Sequence, residues 1–311
     1  MKPVVYIDGR EGTTGLQIYD RLAARDDIEL LLIDGEKRKD TAERKKLMNA
    51  ADLVFLCLPD AAAAEAAEMV ENPRTRIVDA STAHRTAPGW AYGLPELSKA
   101  HRAAIQSSSR VANPGCHATG LITCVYPLVV AGVLSRDYPL TCFSLTGYSG
   151  GGKQMIAQYE GEKTVGMYSP RIYGLNLRHK HLPEMQAQSG LHHPPLFCPV
   201  VDDYYKGMAT TISLHNRLLI GRIGAQGVWE ILSAHYQDQK VVRVAPFGWV
   251  EPMIAANTMA GKDGLLLIVC GNGEHITVTA LFDNLGKGAS GAAVQNMNLM
   301  LELEETAGLL L

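Results

Sequence analysis

The 311-residue chain is predicted to be an α/β protein, a doubly wound parallel sheet followed by an α+β domain built on a mostly antiparallel sheet. Three observations lead there. Short apolar runs alternate with helical patterns through the first third, a glycine-rich turn joins the first run to the first helix, and strand-like runs dominate from about Tyr138. Residues 4–7, 29–33, 53–58 and 76–78 read as buried parallel strands, with helices over 16–24, 41–49 and 61–70 between them. Alternation of this kind builds βαβ units. A further strand at 110–112 leads into Asn113-Pro114-Gly115-Cys116. Beyond it, strands are expected at 140–146, 197–201, 209–214, 241–244, 265–269 and 276–281, with one helix at 225–236. Asn272-Gly273 is a hairpin turn signal between the last two. The stretch 289–305 is helical and apolar on one side, suited to packing back on the first domain. The expected division is 1–115 plus 286–311 for the first domain and 116–285 for the second.

This length is comfortable for two domains. A hydrophobic content of 47% with 20% charged residues is that of a globular protein with sizeable cores. The net charge is −3, and there is neither a basic tail nor a long run of one sign, so no nucleic-acid or membrane-surface partner is expected. Six cysteines form no CxxC pair and no His/Cys spacing that suits zinc. The start runs straight into a strand pattern, and no apolar stretch approaches the ~20 residues of a membrane span. The chain is therefore read as cytoplasmic, with reduced thiols.

The first strand ends in Gly9-Arg10-Glu11-Gly12-Thr13-Thr14-Gly15 and passes directly into a helix. Glycines there let the backbone turn tightly and approach a pyrophosphate, whose charge sits at the helix N-terminus. The spacing is GxxGxxG rather than GxGxxG, so position carries more weight than pattern. Gly9, Gly12, Thr13, Thr14 and Gly15 are the candidate cofactor residues. At the end of the second strand, Asp34 argues for a ribose 2′-hydroxyl and Lys37, Arg38 and Lys39 for a 2′-phosphate. Charge count favours NADP. The same basic run, continued by Arg44, Lys45 and Lys46, also suits a solvated helix face.

Cys116 falls at the first turn of an apolar helical run, where free N–H groups favour the thiolate. Cys57, Cys124, Cys142, Cys198 and Cys270 sit inside apolar runs and read as core thiols. The acid/base partner should be a histidine. The densest polar cluster of the second domain, His179-Lys180-His181-Leu182-Pro183-Glu184, offers two imidazoles and a carboxylate. A metal there would have only Glu184 as a nearby third ligand, so none is assigned. His117 stays open, although neighbouring helical residues point about 100° apart and send it elsewhere. Gly147 to Lys153 suits a phosphate loop or a plain flexible one, and Asp283 to Ala289 suits a lid over the cofactor or a helix cap.

Taken in order, Asp8–Gln17, Asp79–Arg85, Tyr92–Leu97, Ala112–Cys116, His179–Glu184 and Asn284–Gly291 resemble the N-acetyl-γ-glutamyl-phosphate reductases of arginine biosynthesis, in the shorter of their two sequence types. The likeness spans essentially the whole chain. It implies a Rossmann domain plus an α+β catalytic and oligomerisation domain, NADPH as cofactor, Cys116 as the nucleophile on an acyl phosphate, and a histidine of the HxHxPE segment as acid/base, His181 first and His179 second. Arg38 and Lys39 of the basic run join the cofactor set, as do Ser81, Asn284 and Lys287 on the matched segments. Arg85, Asn113, Ser149 and Lys153 form the substrate and phosphate set, and Glu184 holds the substrate amide or fixes the imidazole. Inorganic phosphate is released, and a homodimer or homotetramer is expected. His117 is a departure, since these enzymes and the related semialdehyde dehydrogenases often carry tyrosine there. Rival readings are an aspartate-semialdehyde dehydrogenase or lysine-pathway reductase of the same mechanism, a non-catalytic NADP sensor, and a Cys/His hydrolase.

Overall fold

The computed structural model describes residues 2–311, which separate into two compact units, residues 2–114 with Ala289–Leu309, and Gly115–Gly288 with Leu310–Leu311. Residues 286–288 thus fall with the second unit, because the Asp283 carbonyl accepts the amides of both Gly286 and Gly288. Leu310 follows them there, since its N–H donates to the Asp263 carboxylate at 2.8 Å.

The first unit holds six strands, β1 Val4–Asp8, β2 Glu29–Leu31, β3 Leu53–Leu56, β4 Arg76–Asp79, β5 Ala91–Tyr92 and β6 Arg110–Ala112. Their order is β2-β1-β3-β4-β6-β5 and every pairing is parallel. Strand side chains alternate between faces, so consecutive apolar residues feed two cores. Val5, Ile7, Leu53, Phe55, Val78 and Val111 join Ile18 and Leu22 of α1 (Thr13–Ala23) and the C-terminal helix Gly291–Met300. Tyr6, Val54, Leu56 and Ile77 join Met48 of α2 (Thr41–Ala50) and Ala66 and Ala67 of α3 (Asp60–Met69). Ile105 of α4 (Lys99–Ser107) completes the first core. This is the doubly wound sheet expected from the alternating runs.

Some boundaries differ. β2 stops at Leu31, and the next residue, Leu32, is exposed. The C-terminal helix begins only at Gly291, after a π-turn over Gly286–Ser290, and ends at Met300 rather than at 305. Glu302, at φ 56°, lies in a left-handed conformation that a right-handed helix excludes.

The second unit carries a seven-stranded mixed sheet of β7 Thr141–Gly147, β8 Arg171–Ile172, β9 Leu196–Asp202, β10 Met208–His215, β11 Val242–Val244, β12 Leu265–Gly271 and β13 His275–Phe282, ordered β11-β12-β13-β10-β7-β9-β8. β7 with β9 and β11 with β12 run parallel, and the other pairings are antiparallel. The β12–β13 hairpin turns where Asn272 accepts the amides of Glu274 and His275 on its side chain, the mechanism behind its turn preference. The helices are α5 Cys116–Val130, α6 Gly152–Glu160, α7 Leu182–Ser189 and α8 Gly224–Tyr236. Helix α5 is buried nearly all round and lies so close to β10 that a Cβ on Gly120 would sit 2.4 Å from the Thr210 hydroxyl. No described helix is long and apolar enough to cross a membrane.

Candidate functional site

Cys116 is the first residue of α5, and Gly115 is its N-cap with no side chain to occupy the free amides of the first turn. Those amides and the helix dipole favour a negative sulfur, and the residue is half-buried rather than enclosed. The cap is pinned from α7, where the buried Glu184 carboxylate accepts the Gly115 N–H at 3.1 Å. Glu184 thus fixes the turn that presents the cysteine. Behind the thiol there is no spare room, because a Cβ on Gly288 would lie 2.9 Å from the Cys116 Cβ.

The start of α7 brings both expected imidazoles to this end of α5. His181 is its buried N-cap residue, and the His181 amide donates to Nδ1 of His179 at 3.2 Å. Burial, then the Lys180 ammonium, pushes His179 down to about 4. At neutral pH it is uncharged, and the acceptor role of Nδ1 places its single ring proton on Nε2. The two rings meet edge to face at 4.7 Å.

His117, which helical rotation directs away from this group, belongs to it. Its ring centroid lies 5.5 Å from that of His179 and 5.8 Å from that of His181. Both ring nitrogens are engaged, Nδ1 with the Ser144 hydroxyl at 2.8 Å and Nε2 with the Tyr173 hydroxyl at 2.7 Å. Burial and the neighbouring His179 and Lys180 push it down to about 3. Neither Ser144 nor Tyr173 carries a sequence motif, so only the register of β7 and the segment after β8 could reveal them.

In the first unit the turn after β1 has the shape of a phosphate cradle. Gly9 takes φ 82°, a Cβ on it would lie 2.4 Å from the Cys57 carbonyl oxygen, and one on Gly15 would lie 2.5 Å from the Gly9 carbonyl oxygen. Gly12 is the N-cap of α1 and, like Gly115, leaves the first-turn amides of Thr13 and Thr14 without a side-chain cap. These residues fit a pyrophosphate. The basic run divides. Arg44 pairs with the buried Asp8 at 2.7 Å, Lys45 with Glu71 and Lys46 with Glu43, whereas Lys37, Arg38 and Lys39 lie exposed in the turn before α2.

The remaining expected residues are mostly held by the fold. The Ser81 hydroxyl donates to Asp79 at 2.7 Å. Arg85 is buried and donates from Nε to the Asn113 carbonyl at 2.9 Å, while the Asn113 amide spans Ala289 and Asn296. Asn284, expected at the cofactor, lies in the second unit and ties the Gly207 amide to the Ser149 hydroxyl. Lys287 is fully buried in the π-turn, and Lys153 is exposed on α6. Among the described residues no three His, Cys, Asp or Glu side chains are grouped to hold a metal ion.

The semialdehyde dehydrogenase NAD binding domain model matches residues 31–105, and the semialdehyde dehydrogenase dimerisation domain model matches residues 116–284. The N-acetyl-gamma-glutamyl-phosphate reductase of Sinorhizobium fredii (strain NBRC 101917 / NGR234) is 48% identical over 306 residues, covering 97% of this chain and 99% of that one. N-acetyl-gamma-glutamyl-phosphate reductase 2 of Pseudomonas putida is 47% identical over 305 residues, with 96% and 97% covered. Aspartate semialdehyde dehydrogenase II of Vibrio cholerae, solved as a complex with ASA, superposes with a TM-score of 0.75 at 16% identity over 97% of this chain and 99% of its own, a likeness of fold alone. With two relatives near half identity along almost their full length, the chain belongs to the N-acetyl-gamma-glutamyl-phosphate reductase family.

Proposed function

We propose that this chain reduces N-acetyl-γ-glutamyl phosphate to the semialdehyde with release of inorganic phosphate, using NADPH, as a cytoplasmic homodimer or homotetramer of arginine biosynthesis. The observation that carries the reading is Cys116 at an uncapped helix start, pinned through Gly115 by Glu184, with the rings of His179 and His181 packed against the next residue, His117. The Cys116 thiolate attacks the acyl carbon, the C–S bond forms and the C–O bond to phosphate breaks, leaving a thioester. First-turn amides of α5 are the donors for the oxygen that gains charge. Gly9, Gly12, Thr13, Thr14 and Gly15 would hold the nicotinamide cofactor, whose chemistry would be to supply hydride to the thioester. The tetrahedral oxyanion takes a proton to become the thiohemiacetal and gives it back as the C–S bond breaks, the C=O bond re-forms and Cys116 returns as the thiolate. His181 is assigned the proton transfers, since His179 is held near 4, far from the pH of the reaction. Ser81, Asn284 and Lys287 complete the cofactor residues, and Arg85, Asn113, Ser149 and Lys153 form the substrate and phosphate set.

The choice of NADP rests on the turn after β2. Asp34, the residue that would hold a 2′-hydroxyl, already accepts the Glu36 amide on Oδ1 at 2.9 Å, whereas three cations beside it point to solvent. Replacing Lys37, Arg38 and Lys39 together by alanine should weaken NADPH binding at least tenfold, on the order of 1.4 kcal/mol, and leave NADH binding within twofold by fluorescence titration. Equal losses for both cofactors would remove these residues from the 2′-phosphate site.

The activity is tested in the reverse direction, by following phosphate-dependent reduction of NADP with N-acetylglutamate semialdehyde and with aspartate semialdehyde. At least a hundredfold preference for the acetylated substrate is expected, the discrimination a site gains by pairing a substrate's polar groups. Equal or better use of aspartate semialdehyde would overturn the substrate.

A further inference from the structure

A buried row of hydrogen bonds begins one residue from the nucleophile. Tyr173 Oη meets His117 Nε2 at 2.7 Å, His117 Nδ1 meets Ser144 Oγ at 2.8 Å, and Ser144 Oγ meets Thr210 Oγ1 at 2.8 Å. Ser144 and Thr210 are register partners on adjacent strands β7 and β10, so the far end of the row is built into the centre of the sheet. His117 is 2% exposed, and Ser144 and Thr210 are fully buried.

The groups facing the imidazole are Tyr173, Ser144, His179, His181 and the apolar ring of Phe197, with Lys180 acting electrostatically and Cys116 preceding it on α5. With its affinity for a second proton pushed down to about 3, the ring is neutral throughout the range in which a biosynthetic reductase works. A neutral imidazole has one N–H and one lone pair. Here each meets a hydroxyl, which can donate or accept to match. Both edges are consumed, so the ring has no site left with which to exchange a proton with a substrate. What it can do is hold. The ring stands on the second residue of α5, and its two ends are tied to β7 and to the segment after β8.

We propose that His117 is a positioning residue for Cys116, a two-ended clamp that locks the first turn of α5, and with it the direction of the thiol, to the sheet on one side and to Tyr173 on the other. The same ring walls the edges of His179 and His181, so one side chain sets the spacing between nucleophile and acid/base group. The inference rests on the reading of Cys116 as the nucleophile.

Tyr173→Phe and Ser144→Ala each remove a single oxygen from one end of the clamp, and His117→Phe removes both ends. His117→Gln, which keeps one donor and one acceptor, is the conservative variant. Small misplacements of a reacting group cost up to about a hundredfold in rate. Each end-variant should therefore lower kcat by about tenfold and His117→Phe by about a hundredfold, with KM within about threefold. His117→Gln should recover roughly tenfold of that loss. Because the ring stays neutral, the acid limb of the kcat–pH profile should keep its midpoint in every variant. If His117→Phe fails to fold, the two single-oxygen variants decide. Wild-type kcat in both, or loss of the acid limb in the His117 variants, overturns the clamp. A Cys116→Ser enzyme that still turns over would instead overturn the reading beneath it, whatever the clamp variants do.

Discussion

Cys116→Ser should lower reductase turnover by roughly 10³-fold or more, the scale on which removal of a covalent nucleophile is felt. The reason is chemical rather than structural. A serine hydroxyl at the same helix start stays protonated near neutrality, so the free amides above Gly115 have no anion to stabilise. Any ester that formed would also accept hydride less readily than a thioester. Brief exposure to iodoacetamide at pH 7 should label Cys116 first, with protection by substrate. Cys124 and Cys142 are enclosed in the core, where burial pushes their thiols far above the usual range, and the half-buried Cys57 is raised by burial and by the Asp79 and Asp8 carboxylates. Thermal unfolding should be nearly unchanged, because the swap exchanges one small half-buried group for another. Turnover within tenfold of wild type, or label spread evenly over the half-buried Cys198 and Cys270, would end the thioester mechanism.

Gly9→Ala is expected to be the most damaging single methyl in the first unit. At φ 82° the residue already occupies a region that costs an L side chain about 1–2 kcal/mol. The added Cβ would then lie 2.4 Å from the carbonyl oxygen and 2.9 Å from the carbonyl carbon of Cys57, both backbone atoms at the end of β3. Overpacking of this kind adds about 1–3 kcal/mol. The sum, roughly 2–5 kcal/mol, is a large part of the 5–15 kcal/mol that holds a typical fold together. A thermal melt should fall by about 5–15 °C, since about 1 kcal/mol moves a unit of this size by about 2–4 °C. NADPH titration should show weakened binding, because the turn that carries the amides must open to make room. Gly12→Ala is the control. Gly12 has φ −73°, and its Cβ would meet Gly9 only at 3.3 Å, so its loss should be smaller. Equal melting of the two variants would show that Gly9 is not under steric demand.

The sequence made the parallel sheet legible because β1 and β3 are buried on both faces and read as apolar runs, with Ile77 and Val78 a shorter one in β4. Gly9 to Gly15 was legible for the same kind of reason, as glycines recur where backbone approaches backbone. What stayed hidden is non-local. β5 has two residues and β8 two, too few to show any period. α4 carries Lys99, His101 and Arg102 in its first turns and only Ile105 in the core, so its apolar stripe is thin. Glu184 was recognisable as part of a cluster, but its bond to Gly115 joins residues 69 positions apart, which no local pattern announces. His117 was misdirected by a sound local argument. Helical rotation tells which way a side chain leaves the axis, whereas its partners here are set by the register of β7 against β10 and by a tyrosine 56 residues downstream. Ser81 shows the converse, a polar residue of a motif whose hydroxyl is spent on Asp79 in its own turn, while Arg85 and Asn113 reach across the first unit to Asn113 and Ala289 respectively.

The division of the chain has a consequence for how it is made. Ala293, Val294, Met297, Leu299 and Met300 belong to the same core as Val5, Ile7 and Phe55, yet well over two hundred positions separate the two groups. A nascent chain emerges from its N-terminus, so the half synthesised first lacks one wall of its interior until the final stretch has left the ribosome. The intervening sheet of β7 to β13 is contiguous in sequence and can close beforehand. Until then that apolar face of the parallel sheet is covered only in part, by Ile18 and Leu22 of α1 and Ile105 of α4, a state exposed to aggregation.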